Sequence, residues 1–330
     1  MKDAASLCTI ARQRMAALSA IRSFFAVRGY IEIEAPLLLR SPDSDPSLTP
    51  LEVTLHCPGE PDRRAACLTS PEYSMKKLLG AGMDKIFYLG KVFRDEEVWN
   101  ATHATEFTMV EWYEGGMEYL AGMDQTEELV HAVAEALGVK DHPLLRPWRR
   151  VKIKEMFERH VGIVDVGRLS LRELHDAAHT LGIHTTEDDS WSDVFYRMYV
   201  SRIENTLPED EVLVLYEYPT PQAALAAPTL DGYYAERFEV FCGRLELCNA
   251  FTELTDAVVQ RARFERERQE RERAGKSVFP IDEELLALLP SLRQPTFGNG
   301  LGVDRLLMAL LKKPRLDDVH VLPHTDIFPA

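Results

Sequence analysis

Two acidic residues flanking a short turn are the first feature of this sequence with chemical content. In residues 237–255, RFEVFCGRLELCNAFTELT, a hairpin turning at Cys242-Gly243 sets Glu239 opposite Glu246. Carboxylates facing each other on adjacent strands repel, so the pair calls for a neutralising partner. A divalent cation carrying nucleotide phosphates would serve, and hard carboxylate oxygens suit Mg2+; an exposed acidic edge is the alternative. Asn249, Phe251 and Glu253 share one face further on. Strict alternation turns that face away from Glu246, so one common pocket requires a bulge or bend near Cys248.

Residues 86–113 hold a second set. Taken as two strands, alternation puts Tyr88, Arg94 and Glu96 on one face of the first. It puts Phe107, Met109, Glu111 and Tyr113 on one face of the second, with His103 in the loop between. Arginine offers a forked donor to phosphate or carboxylate, and a ring such as Phe107 can stack on a flat base. The same residue types also suit a surface salt-bridge ladder. The third set is Gly298-Asn299-Gly300-Leu301-Gly302-Val303-Asp304-Arg305. It reads as a glycine-rich turn entering a helix over 303–312, with backbone N–H groups at the helix start and Arg305 in its first turn.

Two nucleotide-binding patterns fail. Gly275-Lys276-Ser277 mimics the end of a P-loop, but Glu270 stands where the upstream glycine belongs. The 298–302 glycines mimic a dinucleotide fingerprint, but Val303 stands where its last glycine belongs.

The elements that must position these residues are legible in outline. Leu7, Ile10, Met15, Leu18, Ile21 and Phe25 recur at helical spacing among Arg12, Arg14 and Arg22, an amphipathic helix rather than a signal peptide. Residues 41–50, rich in Pro, Asp and Ser, form a loop. Residues 261–273, RARFERERQERER, form a charged helix expected to be solvated. Strand-like runs at 85–93, 106–113, 212–218, 237–242 and 244–251 come in adjacent pairs, which predicts antiparallel hairpins within one α+β domain spanning 1–330.

Composition bounds the class. The chain has 330 residues, 38 Lys plus Arg and 53 Asp plus Glu, a net charge of −15. With 45% hydrophobic and 28% charged residues it is neither disordered, collagenous nor a disulfide scaffold. The charge argues against generic binding to a phosphate backbone. Five cysteines without a CxxC pair predict reduced thiols and a cytoplasmic location, and no apolar run is long enough to span a membrane.

In this order the segments resemble the three signature motifs of class II aminoacyl-tRNA synthetases. The helix from Met15 to Arg28 followed by Gly29-Tyr-Ile-Glu-Ile-Glu-Ala-Pro36 looks like motif 1, which builds a homodimer interface. Phe93-Arg94-Asp95-Glu96 with Phe107 looks like motif 2, and Gly300-Leu-Gly302-Val-Asp-Arg305 like motif 3. Thr69-Ser-Pro-Glu72, Glu106-Phe-Thr-Met-Val-Glu-Trp-Tyr113 and Glu246-Leu-Cys-Asn249-Ala-Phe251-Thr-Glu253 are closest to the lysyl branch. Motif 1 begins near residue 15, which leaves no room for an anticodon-binding domain. In this the chain is similar to the free-standing lysyl-tRNA synthetase paralogues that modify translation elongation factor P, as are Ser70-Pro-Glu-Tyr73 and Arg237-Phe-Glu-Val240.

The resemblance implies an antiparallel sheet flanked by helices and an ATP-dependent ligase. Such an enzyme makes a lysyl-adenylate and passes lysine or (R)-β-lysine to elongation factor P; a minimal lysyl-tRNA synthetase, or a non-catalytic paralogue acting as a binding subunit, are the alternatives. Arg94 and Arg305 become the catalytic pair. Asp95, Glu96, His103, Phe107, Glu246, Leu247 and Gly302 join them around ATP, with Mg2+ on Glu239 and Glu246. Ser70, Pro71, Glu72, Tyr113, Asn249, Phe251 and Glu253 line the lysine pocket. Three positions depart from the pattern: Ala104 stands where the relatives have asparagine, Tyr88 where the synthetases have a carboxylate, and Gly300 where the paralogues usually have alanine.

Overall fold

The computed structural model describes residues 2–96 and 100–328, so residues 97–99 of the Arg94-containing segment lie outside the described residues. The strands in chain order are β1 (Ile31–Glu32), β2 (Leu38–Leu39), β3 (Glu52–Leu55), β4 (Arg63–Cys67), β5 (Lys85–Phe93), β6 (Glu106–Gly115), β7 (Arg149–Lys152), β8 (Val212–Pro219), β9 (Tyr234–Cys242), β10 (Leu245–Thr252) and β11 (Thr296–Gly302). The α-helices are α1 (Ala4–Ala26), α2 (Glu72–Gly80), α3 (Tyr119–Ala136), α4 (Ile153–Val161), α5 (Leu171–Thr180), α6 (Trp191–Arg202), α7 (Ala257–Arg273), α8 (Glu283–Leu288), α9 (Val303–Leu310) and α10 (His324–Ile327).

Eight strands form one sheet in the order β1-β5-β6-β11-β10-β9-β8-β7, and β2-β4-β3 form a small second one. From β5 to β8 every neighbour is antiparallel, whereas β1 and β7 run parallel to the strands they flank. The expected hairpins are present as β5–β6 and β9–β10. The fold is α+β, and the parallel edges are an addition that adjacent strand runs do not reveal.

Alternation sorts the sheet into two faces. Phe87, Val110, Trp112, Phe238, Val240, Ala250, Phe297 and Leu301 point to one side, where they join Ala17, Ile21 and Phe25 of α1, Met123, Leu129 and Val133 of α3, and Leu306 and Leu307 of α9 in a single apolar cluster. The opposite side carries two separate clusters. One gathers Tyr88, Tyr113, Ala235 and Phe251 with Tyr73 and Met75 of α2. The other gathers Leu213, Leu215 and Phe241 with Phe157 of α4 and Phe195 of α6. Between them on the same face lie the polar side chains of Arg237, Glu239, Glu246 and Asn249.

Local chemistry explains the helix ends. Asp3 caps α1 by accepting from the Ser6 N–H at 2.7 Å, and Ser170 and Ser190 open α5 and α6 with full capping boxes. The α1 stripe is buried at Ile10, Ala17, Ile21, Phe24 and Phe25, but Met15 is 64% exposed and lies off that face. Among the described residues no helix is long and apolar enough to cross a membrane, and all five cysteines are free thiols.

Two expectations need correcting. The glycines at 298–302 are a strand, β11, held between β6 and β10 rather than a turn. A Cβ at Gly298 would lie 2.2 Å from Glu253 Oε1, so the missing side chain serves a central strand that others crowd. The charged helix α7 is not merely solvated. Its Arg263 and Arg271 are buried, and Arg271 donates to the backbone carbonyls of Asp45 at 2.8 Å and Leu48 at 2.7 Å, holding the 41–50 loop.

Candidate active site

The hairpin β9–β10 turns through Gly243-Arg244, with Cys242 paired to Leu245. Gly243 takes the left-handed backbone the turn requires, at φ +62°. The expected register is therefore off: Glu239 faces Asn249, and Glu246 faces Phe241. The expected bulge is present between Glu246 and Cys248, with Leu247 as the extra residue. It changes the parity of β10, so Glu246, Asn249 and Phe251 all share the face of Arg237 and Glu239. Glu239 and Glu246 are thus diagonal rather than direct neighbours.

Glu239 is 9% exposed and already held: Arg237 Nη2 lies 2.5 Å from its Oε1, and Tyr218 donates to its Oε2 at 2.6 Å. Burial and the charge of Glu246 push its carboxyl above the ordinary range, against the pull of Arg237. Among the described residues no group of three or more His, Cys, Asp or Glu side chains could hold a metal by itself. A hard cation at these two carboxylates would need most of its ligands from outside the chain, and Glu239 would have to share oxygens already held by Arg237 and Tyr218.

Arg94 and Phe107 meet at the end of β5–β6, the guanidinium carbon 5.2 Å from the ring centroid. Arg94 Nε is a buried donor with no hydrogen-bond partner among the described residues. Asp95 bridges to Thr49, and Glu96, exposed and in the left-handed region at φ +57°, accepts from Thr49 Oγ1 at 2.8 Å. Arg305 ties three segments together: it donates to His103 Nε2 at 2.9 Å, the Thr102 carbonyl at 3.3 Å and the Glu246 carbonyl at 3.1 Å. Gly302 and the Leu247 carbonyl pack beside it. From behind, Arg14 of α1 pairs with Asp304 at 2.6 Å, and Asp304 accepts from the Thr108 N–H at 2.7 Å.

The remaining residues gather into a cluster of buried carboxylates. Ser70, just before α2, donates to Glu111 Oε2 at 2.8 Å and accepts from the Glu72 N–H. Tyr113 donates to Glu111 Oε1 at 2.7 Å. Asn249 accepts from Arg237 Nε at 2.9 Å, and Phe251 lines the apolar side. Glu253 is 3% exposed, and its Oε1 has no hydrogen-bond partner among the described residues. Burial raises both Glu111 and Glu253 well above the usual carboxylate range. Tyr88 sits opposite Glu111 but turns its hydroxyl to the Lys91 carbonyl at 2.8 Å.

Two pocket residues escape a reading of the sequence. Glu111 shares a strand face with Tyr113 by alternation and lies in the lysyl-like 106–113 segment, but neither signal gives it a role. Lys76, one helical turn after Glu72, is 1% exposed and carries its ammonium 2.5 Å from Glu72 Oε1 and 2.6 Å from Glu253 Oε2. An orphaned acceptor at Glu253 beside further carboxylates suits an ammonium, and the orphaned donor at Arg94 suits an oxyanion.

Comparison with known proteins agrees with this chemistry. Residues 4–326 match the family described as tRNA synthetases class II (D, K and N). A protein of Pectobacterium atrosepticum named elongation factor P–(R)-β-lysine ligase is 36% identical over 312 residues, 93% of this chain and 92% of its own length. The proteins of the same name from Sodalis glossinidius and Yersinia enterocolitica are 36% and 35% identical, covering 93% and 94% of this chain and 92% and 94% of their own lengths.

Proposed function

This chain belongs to the class II tRNA synthetases, in the D, K and N group, and from that premise we propose that it activates (R)-β-lysine with ATP and transfers it to a lysine ε-amine of elongation factor P. The observation that carries the reading is the buried, unpartnered Oε1 of Glu253 in a pocket shared with Glu111 and Glu72. A substrate ammonium supplies what that oxygen lacks. A neutral side chain leaves it buried and unpaired, a penalty that can separate substrates by about 10⁴ without editing.

In this reading Arg94 takes the substrate carboxylate and the α-phosphate, Phe107 stacks on the adenine and Glu96 meets its amino group. Arg305 and His103 take the distal phosphates. Glu239 and Glu246 would hold Mg2+, which supplies charge neutralisation on the triphosphate when bound. The substrate carboxylate oxygen forms a bond to the α-phosphorus as the bond to pyrophosphate breaks, and Arg94 stabilises the charge that develops there. The acceptor ε-amine then bonds to the adenylate carbonyl carbon, AMP departs with the bonding pair, and the amine proton passes to solvent. No side chain of this protein is consumed in either step.

Self-association fits the surface. Met15, Val27, Ile31, Leu37 and Leu38, on and after α1, are 46% to 79% exposed, an apolar set of the kind two copies bury against each other. The net charge of −15 favours a protein acceptor over a tRNA backbone.

Substrate-dependent ATP–pyrophosphate exchange with α-lysine and β-lysine tests the first step, and intact mass of elongation factor P against charging of tRNA tests the second. Exchange with β-lysine and a mass gain on the protein are expected. Absence of exchange with both isomers, or label on tRNA alone, overturns the reading. Glu253→Gln is expected to lower lysine-dependent exchange at least 100-fold while ATP affinity stays within about twofold.

A further inference from the structure

Lys76 has no place in the scheme above, yet it is the most deeply buried cation near the pocket. It lies on the second turn of α2, and the helical i,i+4 spacing aims it at Glu72 of the first turn. From there its Nζ also reaches Glu253 at the end of β10, and it lies 5.3 Å from the Phe251 ring centroid. Burial alone would drive its proton off; the two carboxylates hold the ammonium charged.

The charged groups around it can be counted. Glu72 comes from α2, Glu111 from β6 and Glu253 from the β10 side, with the neutral hydroxyl of Tyr113 against Glu111. Arg237 and Glu239 satisfy each other and drop out. Asp43 approaches Glu72 from the 41–50 loop, where Arg94 also faces it. Without ligand, Glu111 and Glu253 hold protons at neutral pH; once a ligand's ammonium groups displace them, three carboxylates and one fixed ammonium leave two negative charges to match.

We propose that Lys76 is a positioning residue that sets the charge the pocket accepts: by bridging Glu253 and Glu72 it fixes both carboxylates and leaves a deficit matched by a diamino acid. The inference rests on the lysine reading of the site and deepens it. A neutral residue at 76 leaves Glu253 facing Glu72 and Glu111 without a counter-charge. Glu253 then holds its proton more tightly than in the parent, and a substrate ammonium displaces it less readily.

Equilibrium binding by calorimetry, from pH 6 to 9.5, with α-lysine, β-lysine and norleucine, separates the outcomes without relying on turnover. For Lys76→Met the expected result is at least a tenfold weaker affinity for the diamino acid at pH 7, recovering toward alkaline pH, with ATP affinity unchanged. Lys76→Arg, which keeps the charge, should bind within a few-fold of the parent. If Lys76→Met fails to fold, Lys76→Gln and Lys76→Arg carry the same comparison. A folded neutral variant that binds with parental affinity and pH profile overturns the role of Lys76 alone. A parent protein that binds norleucine as well as either lysine overturns the lysine reading and this inference with it.

Discussion

Gly298 and Gly300 sit two residues apart on β11 and face the same pocket, yet the space in front of them differs. A Cβ at 298 meets Glu253 Oε1 at 2.2 Å and the Tyr113 ring at 2.5 Å, whereas one at 300 meets Glu111 Oε2 at 3.6 Å and Met109 Sδ at 3.7 Å, ordinary contacts. Gly298→Ala should therefore cost about 1–3 kcal/mol of stability and reduce lysine-dependent exchange at least tenfold. Gly300→Ala should melt within about 1 °C of the parent and change only the relative KM of the two lysine isomers. Melting curves and exchange assays on the pair check both. Residue type and spacing point to Arg94, Phe107 and Arg305 as ligand contacts, while Glu253 enters the lysine pocket only through the family resemblance. Lys76 was not legible, because a lysine four residues after a glutamate on a helix reads as a solvated pair. Only the packing of β10 against α2 turns it inward.

At the scale of elements, α7 shows how far composition misleads. A run of alternating Arg and Glu looks wholly solvated, but a helix seated on a protein surface has an inner side. Arg263 bonds the Ala224 and Ala226 carbonyls, and Arg271 those of Asp45, Leu48 and Ser277. Through Thr49 the 41–50 loop in turn receives Asp95 and Glu96. Arg271→Ala should cost about 1.5–3 kcal/mol for the lost charged hydrogen bonds, expose the loop to limited proteolysis, and raise the KM for ATP more than that for lysine. Equal KM changes would argue against the chain of contacts. Of the large sheet, β5, β6, β8, β9 and β10 were legible to within a few residues because alternation is a local signal, whereas β1 and β7 are too short to show it and β11 reads as a glycine-rich turn. Register was not legible, since one left-handed glycine moves the hairpin turn by one position and no local pattern announces it. The bulge was legible only because three polar residues needed one face.

Across the whole molecule, several carboxyls are buried with raised affinity for protons. Glu111 and Glu253 are pushed up to about 8, chiefly by burial, and Glu267 likewise. The unfolded chain releases these protons near the ordinary value of 4.5, so between about 4.5 and 8 the folded state binds more protons. Stability then falls as pH rises through that window. Thermal melts without ligand should drop by several degrees from pH 5.5 to 8, and saturating lysine should flatten the slope, because its ammonium groups favour the ionised carboxylates. An unchanged slope with lysine would mean that these carboxylates do not meet the substrate.

The split core on the site-bearing side has a mechanical consequence. Facing α1, α3 and α9, the sheet rests on one continuous apolar cluster and behaves as a stiff plate. On the other side, the α2 layer and the α4–α6 layer each grip the sheet through their own cluster, with the polar residues Arg237, Glu239, Glu246 and Asn249 along the seam between them. Small opposed tilts of the two layers would stretch that seam without separating apolar surfaces.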